Sequence, residues 1–197
     1  MIAIVNYGIG NVQSLMNFLK AFDPDVVLTT DKKLVEMADL VVMPGVGSFG
    51  PAMKQLRSTG LNEVLTYRHE SNRPILGICL GMQVMFECSE ESADERGLSW
   101  FNGNIVSLPD DVRKPHMGWN DVCWKSQTDD FYFVHSFYAK PTDQRLKIST
   151  CDYSLPFPAM IQYGKTIGLQ FHPEISSEAG INLMTQLMKE WQRCLKK

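Results

Sequence analysis

The chain lacks a long apolar run, a C-x-x-C pair and any surplus of basic charge, and each absence excludes a class of protein. A membrane-spanning helix needs about 20 consecutive apolar residues; every apolar stretch here is interrupted well short of that. Five cysteines, an odd number with no close-spaced pair, argue against a disulfide framework and against a cysteine-type zinc site. They point instead to a reducing compartment, the cytoplasm. With 19 basic and 22 acidic residues the net charge is −3, and the only basic cluster is Lys196-Lys197. That balance leaves no electrostatic footprint for nucleic acid or an anionic membrane. There is no Walker lysine, which argues against a P-loop, and phosphate binding stays only an alternative reading of the glycine-rich loop at 44–49. The run Met1–Val5 has no basic leader and reads as a strand, not a signal peptide. Neither a metal nor a cofactor is expected.

What is present suits one soluble domain over residues 1–197: 44% hydrophobic and 21% charged. The first half alternates short apolar runs with helical periodicity. Strands are predicted at 2–5, 25–28, 40–43 and 75–79, and helices at 11–22, 31–37, 51–57 and 61–70, with a further helix opening at 82–86. Asp31 is placed as a helix cap and Pro51 in a tolerated first turn. The second half changes texture. Short β-rich runs at 104–108, 119–124, 131–134, 159–162 and 166–171 are separated by Gly, Pro and Asp, with a hairpin turn at 162–166 and a closing amphipathic helix over about 177–194. The predicted fold class is α/β: a mostly parallel central sheet with helices on both faces, and antiparallel strands appended in the second half.

One segment carries chemistry. In Gly77-Ile78-Cys79-Leu80-Gly81 a buried strand runs into a turn flanked by glycines, the cysteine form of the G-x-S-x-G nucleophile elbow. Such a turn pushes Cys79 out of the sheet, close to unpaired N–H groups at a helix start. The bland alternative, a core cysteine, is common for cysteine in general. A thiol nucleophile needs a base, and only four histidines are available. His69 sits in the charged run Tyr67–Glu70 and reads as solvated surface. His172 stands at the end of an apolar strand, stopped by Pro173, with Glu174 two residues on to orient the ring. His116 and His135 remain competitors on local grounds. An oxyanion hole needs two N–H donors. Leu80 follows the nucleophile, and the loop Gly45-Val46-Gly47 follows a buried strand and can turn an N–H inward.

Pro44–Gly47, Gly77–Gln83 and Gln170–Glu174 together resemble the class I, triad-type glutamine amidotransferases. Pro115–Asn120, Tyr132–Ser136 and Asn6–Asn11 narrow the resemblance to glutaminase subunits of imidazole glycerol phosphate synthases, over essentially the whole chain. The resemblance implies that Cys79 attacks the side-chain amide of glutamine, that His172 serves as acid and then base, and that Glu174 holds His172. It implies oxyanion donors near Val46 and at Leu80, and glutamine contacts from Gln83, His135, Ser136 and Phe137. The partner would be a (β/α)8-barrel cyclase in a heterodimer, receiving ammonia for histidine biosynthesis, with Asn11, Trp119, Tyr132 and Ile175 at the shared face. The family commonly carries Lys or Arg where Ile175 stands, so an ion pair with the partner is expected to be missing. Alternatives are a paralogous subunit feeding ammonia to an enzyme of surface-polysaccharide sugars and, from another class, a cysteine peptidase or a related thiol protein on the same sheet.

Overall fold

A computed structural model describes all residues except Ile9, Asn11, Ser126, Lys196 and Lys197, and no side chains from 192 onward. The expectations for Asn11 and for the basic tail therefore lie outside the described residues.

The elements follow in order: β1 (Ile2–Val5), α1 (Gln13–Lys20), β2 (Val26–Thr29), α2 (Lys32–Met37), β3 (Leu40–Met43), α3 (Phe49–Thr59), α4 (Leu61–Glu70), β4 (Ile75–Ile78) and α5 (Leu80–Gln83). Then come β5 (Cys88–Ser89), β6 (Gly103–Ser107), β7 (His116–Trp124), β8 (Gln127–His135), β9 (Phe137–Pro141), β10 (Lys147–Asp152), β11 (Pro156–Tyr163), β12 (Thr166–Leu169), a 3-10 turn at Pro173–Ile175 and α6 (Ser177–Leu195). Seven strands form the main sheet in the order β10-β11-β12-β4-β3-β1-β2. β12, β4, β3, β1 and β2 run parallel, and β11 and β10 extend the sheet antiparallel at one side. β7 and β8 form a separate ribbon, and β5, β6 and β9 a small third sheet.

The continuous apolar runs follow from burial on both faces. Successive side chains of a strand point to opposite sides. Ile2, Ile4, Leu40, Val42, Leu76 and Ile78 accordingly join one core with α1 and α6. Ala3, Val5, Val41, Met43 and Ile75 join the other, with α3 and α4. The Asp31 side chain caps α2 by accepting from the N–H groups of Lys33 and Leu34 at 2.8 and 3.4 Å, as predicted.

Three expectations change. The helix after Cys79 is only the four residues of α5, because the chain then turns back toward β5 and β6. β5, β9 and β10 have no counterpart among the runs legible in the sequence. And His69 is half-buried rather than free surface: its ring stacks on Trp100 at 4.7 Å and its Nδ1 lies 2.8 Å from Thr166 Oγ1. Burial, with Arg145 adding to it, pulls its pKa down to about 4.

Candidate active site

Cys79 follows β4 with φ +46° and ψ −104°, a left-handed backbone unusual for a residue with a side chain. The elbow is that tight because its glycines leave room. A Cβ on Gly77 would lie 2.5 Å from the Gly81 carbonyl, and one on Gly81 would lie 2.0 Å from the Met43 carbonyl. The Cys79 N–H donates to Leu169 O at 2.6 Å, tying the elbow to the end of β12. That neighbouring strand delivers His172 to the same end of the sheet.

His172 is 8% exposed, with its Nδ1 2.8 Å from Glu174 Oε1. Its Nε2, turned away from Glu174, is buried with no hydrogen-bond partner among the described residues, and so is Glu174 Oε2. Burial pulls the His172 pKa down, but the Cys79 sulfur and the Glu174 carboxylate outweigh it and push the value up to about 10. A ring this basic is imidazolium at neutral pH. The segment is clamped: Ser176, fully buried, donates from Oγ to His172 O at 2.6 Å and accepts from Tyr132 N–H at 3.0 Å. His172 N–H in turn donates to Tyr132 O at 2.9 Å.

The glycine loop closes over both groups. A Cβ on Gly45 would stand 2.8 Å from His172 Cε1 and 2.9 Å from Cys79 Cβ, so only a glycine lets this backbone lie against nucleophile and base together. Gly47 has φ +94°. Val46 packs so tightly on the N-terminal loop that a Cβ on Gly10 would lie 2.4 Å from the Val46 Cβ. Leu80, the first residue of α5, has an N–H that the helix itself cannot pair.

Beside the sulfur is a cleft of about 260 Å³, lined by Gly45, Gly47, Cys79, Leu80, Gln83 and His135–Phe137, among others. That is just under the ~300 Å³ where drug-sized pockets begin, and suits a ligand as small as one amino acid. Gln83, Ser136 and Phe137, singled out in the sequence, thus meet on one wall. Glu91, Pro115 and Val134 also line it, and none of them was foreseen in a binding role. Glu91 spends one oxygen on the N-terminus of α3, accepting from Phe49 N–H at 2.8 Å. A carboxylate following Ser89-Glu90 in a run of acids has no pattern to distinguish it from a solvated one.

His116 and His135 do not compete with His172 as base. They face each other, Nδ1 to Nε2, at 3.0 Å. Burial pushes them down to about 4 and about 3, respectively, so both rings are neutral where a base would have to accept and return a proton. Trp119 and Ile175 are 49% and 43% exposed, and Trp119 meets the Tyr132 ring edge-on at 5.8 Å. Met117 is still more exposed, which makes an apolar rim on the side of the base. No group of residues that could hold a metal ion occurs among the described residues.

A thiol on a strained elbow, an imidazolium paired with a carboxylate, and a glycine loop against both can attack an acyl carbon and protonate its leaving group. Comparison with known proteins agrees. Residues 3–190 match the family Glutamine amidotransferase class-I. The chain is 42% identical over 192 residues to imidazole glycerol phosphate synthase subunit HisH of Exiguobacterium sibiricum, covering 98% of this chain and 94% of that one. The HisH subunits of Methanopyrus kandleri and Aquifex aeolicus are 41% and 36% identical, each over at least 95% of this chain and 96% of their own. Among solved structures, a glutamine amidotransferase superposes with a TM-score of 0.81 at 15% identity, over 98% of this chain and 100% of that one. PurLQS of Thermotoga maritima follows with 0.71 at 16% identity, over 96% and 97%; at such identities the likeness shows the fold. The chain belongs to the class-I glutamine amidotransferases, and within them to the family of imidazole glycerol phosphate synthase subunit HisH.

Proposed function

We propose that this chain is the glutaminase subunit of an imidazole glycerol phosphate synthase, hydrolysing glutamine and passing the ammonia to a cyclase partner in histidine biosynthesis. The observation that carries the reading is the meeting of Cys79, His172 and Gly45, with Glu174 behind the ring. The reading treats residues 1–197 as one glutaminase domain, which a main sheet drawing strands from both halves of the chain supports.

The chemistry follows from the charges. The Cys79 thiolate attacks the side-chain carbonyl of glutamine, and the oxygen's new charge is met by N–H groups of Leu80 and the Gly45–Gly47 loop. His172, protonated at rest, gives its Nε2 proton to the departing nitrogen as the tetrahedral intermediate collapses to a thioester. Acylation removes the sulfur's negative charge, one of the two influences holding the ring's pKa up. The ring, now less basic and neutral, can take a proton from the hydrolytic water. Glu174 keeps Nδ1 protonated and Nε2 aimed at the reacting centre throughout. Glu91 at the cleft wall offers a carboxylate to the α-ammonium, and Gln83, His135, Ser136 and Phe137 shape the rest of the pocket.

Ammonia released to water near neutral pH becomes ammonium and loses its lone pair, so transfer through a covered route is favoured. Trp119, Tyr132 and Ile175 form the apolar rim through which a partner would seal that route, with Ile175 giving a contact in place of an ion pair. The test uses the chain with its cyclase. Cys79→Ala should abolish synthesis from glutamine and leave synthesis from ammonium salts intact. Retention of glutamine-dependent turnover, or loss of both activities in a folded complex, would refute the division of labour.

A further inference from the structure

The Cys79 sulfur receives a hydrogen bond that the triad does not supply: Gln170 Nε2 donates to Sγ at 3.5 Å, from a side chain with no exposed surface. The orientation of that amide is dictated from behind. Gln83 Nε2 donates to Gln170 Oε1 at 3.3 Å and to Phe137 O at 2.9 Å. Phe137 O is also met by His135 Nδ1 at 2.9 Å. His135 Nε2 faces His116 Nδ1, and His116 Nε2 lies 2.8 Å from Asn120 Nδ2. One assignment of hydrogens satisfies every link. Asn120 donates to His116 Nε2, His116 Nδ1–H donates to His135 Nε2, and His135 Nδ1–H donates to the carbonyl. Both rings must then be neutral, in line with the effect of their burial. With Phe137 O needing donors, Gln83 presents its N–H groups there and to Gln170. A flipped Gln170 would set N–H against N–H on one side and oxygen against sulfur on the other.

We propose that Gln170 is a further catalytic residue, whose Nε2–H holds the Cys79 sulfur in its attacking position and shares its negative charge, and that Gln83, His135, His116 and Asn120 are positioning residues that orient its amide. Leu169 and Gln170 belong to the strand end that also presents His172, so acid and sulfur donor are delivered together. The relay starts on β7 beside Trp119, which links the orientation of the sulfur to the ribbon that forms the apolar rim.

The inference rests on the glutaminase reading, and the experiment separates the two. Gln170→Met keeps length and bulk but has no N–H. In complex with the cyclase, kcat for glutamine should fall roughly ten- to a hundredfold, the worth of one hydrogen bond to a charged group, with KM within about twofold. Alkylation of Cys79 by iodoacetamide, followed by mass on the Cys79 peptide of the free chain at pH 7, should slow in step. Gln170→Glu, which keeps an acceptor for Gln83 but replaces the donor by oxygen, should slow alkylation further and provides the reading if the Met variant unfolds. Unchanged alkylation and kcat in either folded variant would overturn the inference. A wild-type chain that alkylates readily at Cys79 but never turns over glutamine would refute the glutaminase reading and leave the sulfur contact standing.

Discussion

Ser176 shows how a single hydroxyl can hold a catalytic segment. Its Oγ takes a hydrogen from Tyr132 N–H and gives one to His172 O, so strand β8 and the base are joined through one buried atom. Ser176→Ala should leave the Tyr132 N–H without a partner, which costs about 1–3 kcal/mol, while His172 O keeps the Ile175 N–H at 3.3 Å. The expected outcome is a lower denaturant midpoint together with reduced glutamine kcat in the complex. If stability falls and kcat does not, the clamp serves the fold alone. The residues foreseen from sequence and those missed divide on a physical line. Cys79, His172 and Gly45 were legible because a glycine-flanked turn or a strand end is a local pattern. Ser176, Gln170 and Glu91 act by reaching residues 40 or more positions away, and nothing beside them in the chain records the partner. By sequence His69 reads as surface because its neighbours are charged; the aromatic face of Trp100 that covers it arrives from another part of the chain.

At the scale of elements, α4 shows a similar dependence on distant backbone. Arg68 projects from this helix with no exposed surface, and its guanidinium donates to the carbonyls of Val35, Glu36, Ala38 and Pro74 at 2.9–3.1 Å. Those carbonyls lie in the last turn of α2, the step into β3 and the step into β4. One side chain thus gathers the ends of three elements, helped by Arg73, which also donates to Glu36 O and Ala38 O, and by Val41 N–H, which donates to Pro74 O at 3.2 Å. Burial draws its pKa down to about 10, so it remains charged at neutral pH. Arg68→Met would fill much of the space but leave the Val35 carbonyl without a donor and thin the pairing of the other three, and stability should fall by about 1–3 kcal/mol. For a chain of this size that is a drop of roughly 2–12 °C in Tm. A calorimetric shift of under about 2 °C would mean that Arg73, Val41 N–H and water satisfy those carbonyls without Arg68. The first-half elements were legible to within two or three residues at either end, since strands buried on both faces are uninterrupted apolar runs. β10 was not, because as an edge strand it shows mostly polar, exposed residues and breaks register between Ser149 and Thr150. β9 ends on a proline and β5 has two residues, too little pattern for periodicity to register.

Across the whole molecule the four histidines oppose one another in pairing protonation to folding. His69, His116 and His135 are held at about 4, 4 and 3, below their ordinary value of 6.5. The unfolded chain therefore binds protons first as the solution is acidified. Their neutral, buried state supports the fold above pH 6.5 and loses ground as pH falls toward 4, by at most about 1.4 kcal/mol per pH unit for each ring. His69, the most exposed of the three, contributes least because water screens it. His172 works in the other direction. Its folded value of about 10 lies above 6.5, so its contribution is complete below pH 6.5 and is lost as pH rises from there to 10. Stability measured by urea midpoint should then peak near neutrality and fall on both sides. The two limbs are separable. Cys79→Ala removes the sulfur charge that helps raise the His172 pKa, so its alkaline limb should be shallower while the acid limb is unchanged. An alkaline limb as steep in Cys79→Ala as in the wild type would show that sulfur and imidazole are not an ion pair at rest, and that His172 awaits substrate as a neutral base.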